Sequence, residues 1–210
     1  MEERDRETYL YVVGFVFALI YFYVFSLFIF IDDYAVGLTW MCYLGILLIT
    51  IGIFLKNSDI VLSQVYLLLI PDLLWLIDFF YTLIFGHSLL GFDNFFFRTP
   101  YLERKILSLQ HLVTPYLAIF SLYLFKPKKK LRPLLFSFLE LIVMFLLGIF
   151  VFPASEGINC LPDYNSCFFN RPLAFLNYQF GWILVESFFI LTAFFILRKL
   201  KFLWSNEKEK

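Results

Sequence analysis

A nucleophile, a base and an acid occur inside apolar stretches of this 210-residue sequence. Thr39 and Cys42 supply a hydroxyl and a thiol, His111 supplies an imidazole, and Asp78 supplies a carboxylate. A hydroxyl or thiol, an imidazole base and a carboxylate that orients the base are the groups of a covalent acyl-transfer site. We therefore take Thr39 or Cys42 as the candidate nucleophile, His111 as the base and Asp78 as its partner.

Three further acids, Asp72, Glu140 and Glu186, also lie in apolar stretches, where no lysine or arginine is present to neutralise them. An ionisable group at the centre of a membrane span costs about 2.5–3.5 kcal/mol on insertion scales, and such groups commonly have a function. One interpretation is a proton or cation path through the membrane. The other is a set of neutral acids that form hydrogen bonds between helices. Pro71 precedes Asp72 and predicts a kink beside it.

The elements that must position these side chains are apolar runs of about 20 residues, the length that crosses a hydrocarbon core. The chain is 61% hydrophobic and 16% charged, whereas a soluble domain is nearer half apolar and a quarter charged. These features predict an all-α, polytopic membrane protein in which residues 1–210 form one domain of six transmembrane helices. The predicted spans are residues 9–31, 36–55, 60–85, 107–125, 134–152 and 173–197.

The distribution of basic residues predicts the orientation of the six spans. Both termini and the second and fourth connections would lie on one side, which carries 13 of the 17 lysines and arginines. The other side would carry Arg98, Arg104, Lys105 and Arg171. Because short cytoplasmic loops are enriched in basic residues, we expect both termini in the cytoplasm and the protein in the cell membrane.

Depth can be estimated by counting 1.5 Å per helical residue from the span ends. On this count Asp78 lies roughly 10 Å below the outer boundary, and Asp72 lies near the middle. The two aspartates are about 120° apart around the helix, so a shared carboxylate dyad is not expected. The outer third of the predicted bundle contains Thr39, Cys42, Asp78, Gln110, His111, Asn177 and Gln179. A site near the outer leaflet follows from this matched depth.

The two outer connections have different characters. Residues 86–106 contain three consecutive phenylalanines before a basic segment, and we expect part of this connection to lie on the outer leaflet or over the bundle. Residues 153–172 contain Cys160 and Cys167 on the oxidising side, which predicts a disulfide from compartment alone. Metal binding by this pair is the alternative, but no further Cys or His in the loop completes a zinc set. We predict no metal or cofactor.

Membrane lipids are the expected partners. The basic segment Lys126–Pro133 would be a cytoplasmic loop that either determines topology or binds anionic lipid, at about 1 kcal/mol per basic residue. Because the basic residues adjoin spans and form no separate basic domain, the sequence does not support nucleic-acid binding.

Three stretches resemble a set of uncharacterised prokaryotic six-span membrane proteins. They are WLIDF (Trp75–Phe79), GHSLLGFDNFFF (Gly86–Phe97) and SLQHLVTP (Ser108–Pro115). They match a tryptophan–acid pair, a G-x-S-L-x-G loop and an S-L-x-H-x-x-x-P helix start, and SEGIN at residues 155–159 matches a short outer loop of that family. The resemblance covers roughly residues 71–160. It implies a fold and a set of shared residues, but no activity.

The span order is also similar to that of the androgen-induced six-span hydrolases. Those enzymes cleave fatty-acid esters of hydroxy fatty acids with an intramembrane threonine and histidine. Thr39 early in the second span, and His111 followed by Pro115 in the fourth, correspond in position. The resemblance implies that Thr39 and His111 are catalytic.

Three functions remain open on the sequence. The first is an intramembrane hydrolase or acyltransferase that acts on a lipid ester or acyl group near the outer leaflet. The second is a proton- or ion-coupled transporter of small molecules that uses Asp72, Glu140 and Glu186. The third is a membrane scaffold without catalysis.

Overall fold

The computed structural model describes residues 3–31, 35–151 and 178–205. Within these ranges the chain is about 85% helical and contains no strand, which confirms the predicted all-α class. The helices are α1 (Glu3–Ser26), α2 (Met41–Phe54), α3 (Ser58–Phe85), α4 (Asn94–Arg98), α5 (Leu102–Ser108), α6 (Gln110–Phe125), α7 (Arg132–Phe150) and α8 (Tyr178–Lys199). A π-helical turn (Leu27–Ile31) extends α1, and 3-10 turns form at Ala35–Thr39 and Lys201–Leu203.

In the described part of the chain, five helical segments are long and apolar enough to cross a membrane. They are Glu3–Ile31, Ser58–Phe85, Leu102–Phe125, Arg132–Phe150 and Gly181–Lys199. The second predicted span differs, because its start forms the 3-10 turn and α2 has only 14 residues. At 1.5 Å per residue α2 is roughly 21 Å long, less than a hydrocarbon core of about 30 Å. Five long apolar helices and one shorter one are compatible with an integral membrane protein.

Helix α3 is the centre of the bundle. It packs against α2, α6, α7 and α8, and 67% of its most apolar window is buried, against 28–44% in the other four long segments. Tyr66, Leu62 and Leu67 on α3 are fully buried, and Leu122 of α6 and Leu141 of α7 belong to the same core. A helix in this position can carry polar side chains at low cost, since its neighbours shield them from lipid.

The ends of α3 follow from local sequence. At its start the Asn57 side chain accepts hydrogen bonds from the backbone N–H groups of Asp59 at 3.0 Å and Ile60 at 3.4 Å. At its end Gly86 adopts a φ of +75°, a conformation that glycine takes without steric cost. Between these ends the helix continues through Pro71 as a single element.

Close packing of α2 against α3 depends on Gly45. A Cβ atom at this position would lie 2.3 Å from Cδ1 of Leu68 and 3.3 Å from Oε1 of Gln64. Because Gly45 has no side chain, the two helices can pack closely. The start of α2 then lies against the part of α3 that carries polar side chains.

Candidate active site

His111 on α6 and Asp72 on α3 form a buried pair. Nδ1–H of His111 donates to Oδ1 of Asp72 at 2.7 Å, and the exposed fractions of the two side chains are 19% and 3%. Because Nδ1 is committed to the carboxylate, Nε2 is the ring nitrogen left to accept or give a proton. An aspartate in this position fixes the histidine tautomer and stabilises the imidazolium that forms during proton transfer.

Aromatic side chains of α3 pack beside the His111 ring. Trp75 lies one turn beyond Asp72 on α3, and its ring centroid is 5.1 Å from that of His111 at an interplanar angle of 30°. Phe79, the next turn on, stacks on Trp75 at 4.9 Å and 14°. Asp72, Trp75 and Phe79 occupy one face of α3 at the spacing of successive helical turns. Side chains on this face therefore contact the imidazole and fix its orientation.

Cys42 brings a nucleophile to the pair. It lies in the first turn of α2, its thiol interacts with the His111 side chain, and it is a free cysteine. A thiol beside an imidazole that is oriented by a carboxylate has the arrangement of an activated cysteine nucleophile. The three residues come from three helices that all pack on one another, α2, α3 and α6.

Cys42 and His111 face a cavity of about 240 Å³. Its walls are mainly aromatic, with a guanidinium and a hydroxyl among them. The lining residues are Phe28, Trp40, Cys42, Tyr43, Trp75, Phe92, Arg104, Leu107, Ser108 and His111. An apolar cavity with a few convergent polar groups is the usual form of a small-molecule site.

The predicted pairing of Asp78 with His111 is wrong. Asp78 is fully buried, but its carboxylate binds the loop that follows α3. Oδ1 accepts from the backbone N–H groups of Leu89 at 2.8 Å and Leu90 at 2.7 Å. Oδ2 accepts from the Ser88 hydroxyl at 2.9 Å and from the backbone N–H of Asp93 at 3.2 Å. Four donors occupy this carboxylate, so Asp78 holds the loop and leaves Asp72 as the partner of His111.

Asp93, at the end of this loop, gives a prediction about pH. The side chain is fully buried, and burial, together with the nearby Asp78 carboxylate, raises the pKa of Asp93 above its usual range. The folded protein therefore keeps a proton on Asp93 at pH values where the unfolded chain has lost it. The contribution of Asp93 to the free energy of unfolding should be fully present below about pH 4 and should be lost as pH rises through the raised pKa.

The measurement for this prediction is thermal unfolding in detergent as a function of pH. Asp93→Asn keeps the shape and removes the charge, so it should flatten the pH dependence. A variant whose unfolding temperature follows the same pH curve as the wild type would contradict the assignment.

Thr39, the other candidate nucleophile, lies at the end of the 3-10 turn before α2. Its hydroxyl donates to the Val36 carbonyl at 2.7 Å. Among the described residues that line the cavity, Cys42 is present and Thr39 is not. The geometry therefore favours the thiol over the hydroxyl.

Among the other polar residues of the predicted outer site, Gln110 is described, and it does not line the cavity at the thiol. Gln110 accepts a hydrogen bond from Thr114 on its own helix at 2.8 Å. For Gln179 only the helical backbone is described, and Asn177 lies outside the described residues, as do Cys160, Cys167 and SEGIN.

Glu140 and Glu186 are not among the described residues that line the cavity at His111. Glu140 on α7 accepts a hydrogen bond from Nε2 of Gln64 on α3 at 2.5 Å. Glu186 on α8 has a buried carboxylate oxygen without a hydrogen-bond partner among the described residues. In the described ranges, no group of three or more His, Cys, Asp or Glu side chains is arranged to hold a metal ion.

The sequence is compatible with a pairing of Asp72 with His111, but it does not single out this pairing. Asp72 and Trp75 are three residues apart and so share a face, while Asp78 and Thr82 share another. Nothing in the apolar pattern says which of these faces meets α6. Comparison with protein-family models, with curated proteins and with solved structures gave no match to this chain.

Proposed function

We propose that the protein is an integral membrane enzyme that transfers or hydrolyses a fatty-acyl group through a thioester on Cys42. The observation that supports it is the 2.7 Å bond between His111 and Asp72 beside the Cys42 thiol at an aromatic cavity. Nucleophile, base and orienting acid lie together, and each has a defined role in acyl transfer.

In the first step the Cys42 sulfur attacks the carbonyl carbon of an acyl ester. Nε2 of His111 takes the thiol proton, and Asp72 stabilises the imidazolium through its bond to Nδ1. When the tetrahedral intermediate collapses, the carbon–oxygen bond to the leaving alcohol breaks. The alkoxide takes the proton from Nε2, and the acyl group remains on Cys42 as a thioester.

In the second step water or another nucleophile attacks the thioester. His111 again serves as base at Nε2 and then returns the proton to the departing thiolate of Cys42. With water the product is a free fatty acid; with a hydroxyl or amine acceptor it is a new ester or amide. The sequence and the cavity fit both outcomes, and the fatty-acyl chain is common to them.

A lipid substrate fits the surroundings of the site. The cavity walls are aromatic, and the five long apolar helices suit a membrane setting in which a lipid could enter sideways. In the proposed topology the chain has six spans, with α2 as the short one, and both termini are cytoplasmic. Arg104 of the cavity then belongs to the outer side, so the site opens towards the outer leaflet.

The experiment is an assay of p-nitrophenyl fatty-acyl esters with purified protein in detergent micelles. We expect p-nitrophenolate release that increases with acyl chain length until the cavity is filled. Cys42→Ala should reduce the rate by about 10³-fold or more. Thr39→Val is the matched control and should keep the wild-type rate. Equal loss in the two variants, or no loss in Cys42→Ala, would contradict the proposal.

A proton or cation path is the second candidate function. The Gln64–Glu140 bond favours it, because it places an acid of α7 on the same central helix that carries Asp72. This candidate requires a pH-driven flux in liposomes that changes in Glu140→Gln or Glu186→Gln. Unaltered flux in both variants would remove these glutamates from any transport mechanism.

A further inference from the structure

The C-terminal turn, residues 201–205, is bonded to the connection that follows α6. Nζ of Lys126 donates to the Phe202 carbonyl, and the backbone N–H of Ser205 donates to the Pro127 carbonyl at 3.2 Å. Both stretches lie at the end of the bundle where α6 and α8 end. Two parts of the chain that are 76 residues apart in the sequence therefore form one surface.

Trp204 packs this turn against the bundle. The residue is 5% exposed, and its indole N–H donates to the Leu197 carbonyl of α8 at 2.9 Å. Leu203 beside it is also buried. Nζ of Lys129 lies 5.8 Å from the centroid of the Trp204 ring, within the range of a cation–π contact. The packing of the turn thus defines its position relative to Lys129.

Positive charge from three parts of the chain meets at this end of the bundle. Burial and the nearby Arg6 guanidinium of α1 lower the pKa of the Lys126 ammonium below its usual value. Nε of Arg6 is itself buried and has no hydrogen-bond partner among the described residues. Lys129 and Lys201 are exposed. We call these four residues the basic surface: Arg6, Lys126, Lys129 and Lys201.

Other cations at this end are engaged by acids. Nζ of Lys130 and Nη1 of Arg132 lie 3.9 and 4.0 Å from Oδ2 of Asp59, and Lys56 bonds to Glu7 at 2.6 Å. In the part of the chain that the structure describes, no residue of the basic surface is in such an ion pair. The five residues after the turn carry two lysines and two glutamates, and so add no net charge. The basic surface therefore calls for an anion from outside the chain.

Exposed aromatic rings beside the basic surface indicate where that anion lies. Tyr123 and Phe202 are 39% and 51% exposed, and their ring centroids are 6.3 Å apart. Nζ of Lys126 lies 4.1 Å from the centroid of the Tyr123 ring. Tyr123 belongs to the last turn of Leu102–Phe125, a segment long and apolar enough to cross a membrane. Tyrosine at the end of such a helix favours the headgroup region, which places Lys126 at the level of lipid phosphates.

We propose that the basic surface binds the headgroup phosphate of an anionic phospholipid, and that docking of the C-terminal turn is required to form this site. The proposal narrows the expectation for the Lys126–Pro133 segment, because Lys130 and Arg132 bond to Asp59 and are not headgroup ligands. It is independent of acyl transfer at Cys42.

The first test is native mass spectrometry of the full-length protein in a non-ionic detergent with added phosphatidylglycerol or phosphatidylcholine. We expect phosphatidylglycerol to be retained preferentially. Lys129→Gln with Lys201→Gln should weaken its apparent affinity by about fivefold or more, since a basic residue near anionic lipid contributes about 1 kcal/mol, a factor of about five.

The matched control is Lys130→Gln with Arg132→Gln, which removes the same number of charges from the same end of the bundle. These two side chains bond to Asp59, so we expect the control to keep most of the affinity for phosphatidylglycerol. Equal loss in the two double variants would show that net charge alone binds the lipid. Either that result or equal retention of the two lipids by the wild type overturns the proposed site.

Trp204→Ala tests the role of the turn without changing any charge. We expect faster amide hydrogen exchange at Ser205 and a loss of phosphatidylglycerol affinity similar to that of the lysine variant. Trp204→Phe keeps a ring beside Lys129 and should lose less. The unfolding temperature of each sample shows that the bundle is retained. Faster exchange at Ser205 with unchanged affinity overturns the requirement for the turn.

A competition experiment separates a lipid headgroup from a free phosphate ion. Sodium phosphate should displace phosphatidylglycerol no better than sodium chloride of equal ionic strength, because the lipid also contacts the exposed rings of Tyr123 and Phe202. Stronger displacement by phosphate would assign the basic surface to a free anion, and it would overturn the assignment to a phospholipid.

Discussion

We expect His111→Gln to lower the rate of Cys42 acylation by about 10²–10⁴-fold, the usual contribution of a general base. The glutamine amide can still donate a hydrogen bond to Asp72, so the buried carboxylate keeps a partner and the fold is retained. What is lost is Nε2 as proton acceptor. The measurement is the burst of p-nitrophenolate release, read beside the thermal unfolding temperature of the same sample.

Two further variants test the assignment: one is in the catalytic pair, and the other, outside it, is the control. Asp72→Asn preserves shape but favours the wrong histidine tautomer, and it should lower the rate by about 10²-fold or more. His87→Ala removes the other histidine, whose Nδ1 lies near the Phe85 carbonyl in the loop after α3, and should leave the rate unchanged. A similar loss in His87→Ala would mean that esters react non-specifically with imidazole, and it would contradict the assigned base.

The largest expected effect on stability comes from Asp78→Ala. The substitution leaves a hydroxyl and three backbone N–H groups without their shared acceptor, in a region where Asp78 itself is fully buried. We expect the free energy of unfolding to fall by about 3–5 kcal/mol. The measurement is thermal or denaturant unfolding in detergent.

Substitutions at the two aspartates of α3 should therefore have different effects on activity and on stability. Asp72→Asn should lose catalysis and keep most of the stability, whereas Asp78→Ala should lose stability first. Because Phe92 belongs to the loop that Asp78 holds and also lines the cavity, activity in Asp78→Ala should fall in proportion to the unfolded or opened fraction. If Asp78→Ala were as stable as the wild type but inactive, Asp78 would have a catalytic role that its hydrogen bonds do not explain.

The class of fold could be predicted from the sequence because it depends on length and apolar composition. Runs of about 20 apolar residues give long helices wherever the membrane or a core surrounds them. The third predicted span, residues 60–85, corresponds to Ser58–Phe85, and the fifth, 134–152, corresponds to Arg132–Phe150. The fourth begins earlier than predicted, since the charged stretch around Glu103 is already helical in α5.

The partner of His111 could not be predicted, because rotation about the helix axis leaves no trace in a uniformly apolar pattern. His111 is nine residues, roughly 13 Å, from the start of the Leu102–Phe125 segment. Counted from the end of α3, Asp78 is nearer to this depth than Asp72. The two aspartates point about 120° apart around α3, and this difference in direction, rather than depth, determines which of them meets His111. The loop that Asp78 holds follows directly after α3 and donates backbone N–H groups to the carboxylate. Its position after α3 is the feature that points to a structural role.

The sequence also could not show which of the two candidate nucleophiles faces His111. Thr39 and Cys42 are three residues apart and both precede or begin an apolar stretch. The sequence predicted a helix from residue 36, which would have placed both on one face. The 3-10 turn at Ala35–Thr39 instead lets the Thr39 hydroxyl bond to its own backbone, and α2 starts just before Cys42.

The most direct test is peptide-resolved mass spectrometry of the protein after brief incubation with a fatty-acyl p-nitrophenyl ester. The thioester mechanism predicts an acyl group on the peptide that contains Cys42, removable by hydroxylamine and absent in His111→Gln and Cys42→Ala. An acyl group on another residue, an equal amount on Cys42 in His111→Gln, or no adduct and no ester turnover in folded wild-type protein would contradict it.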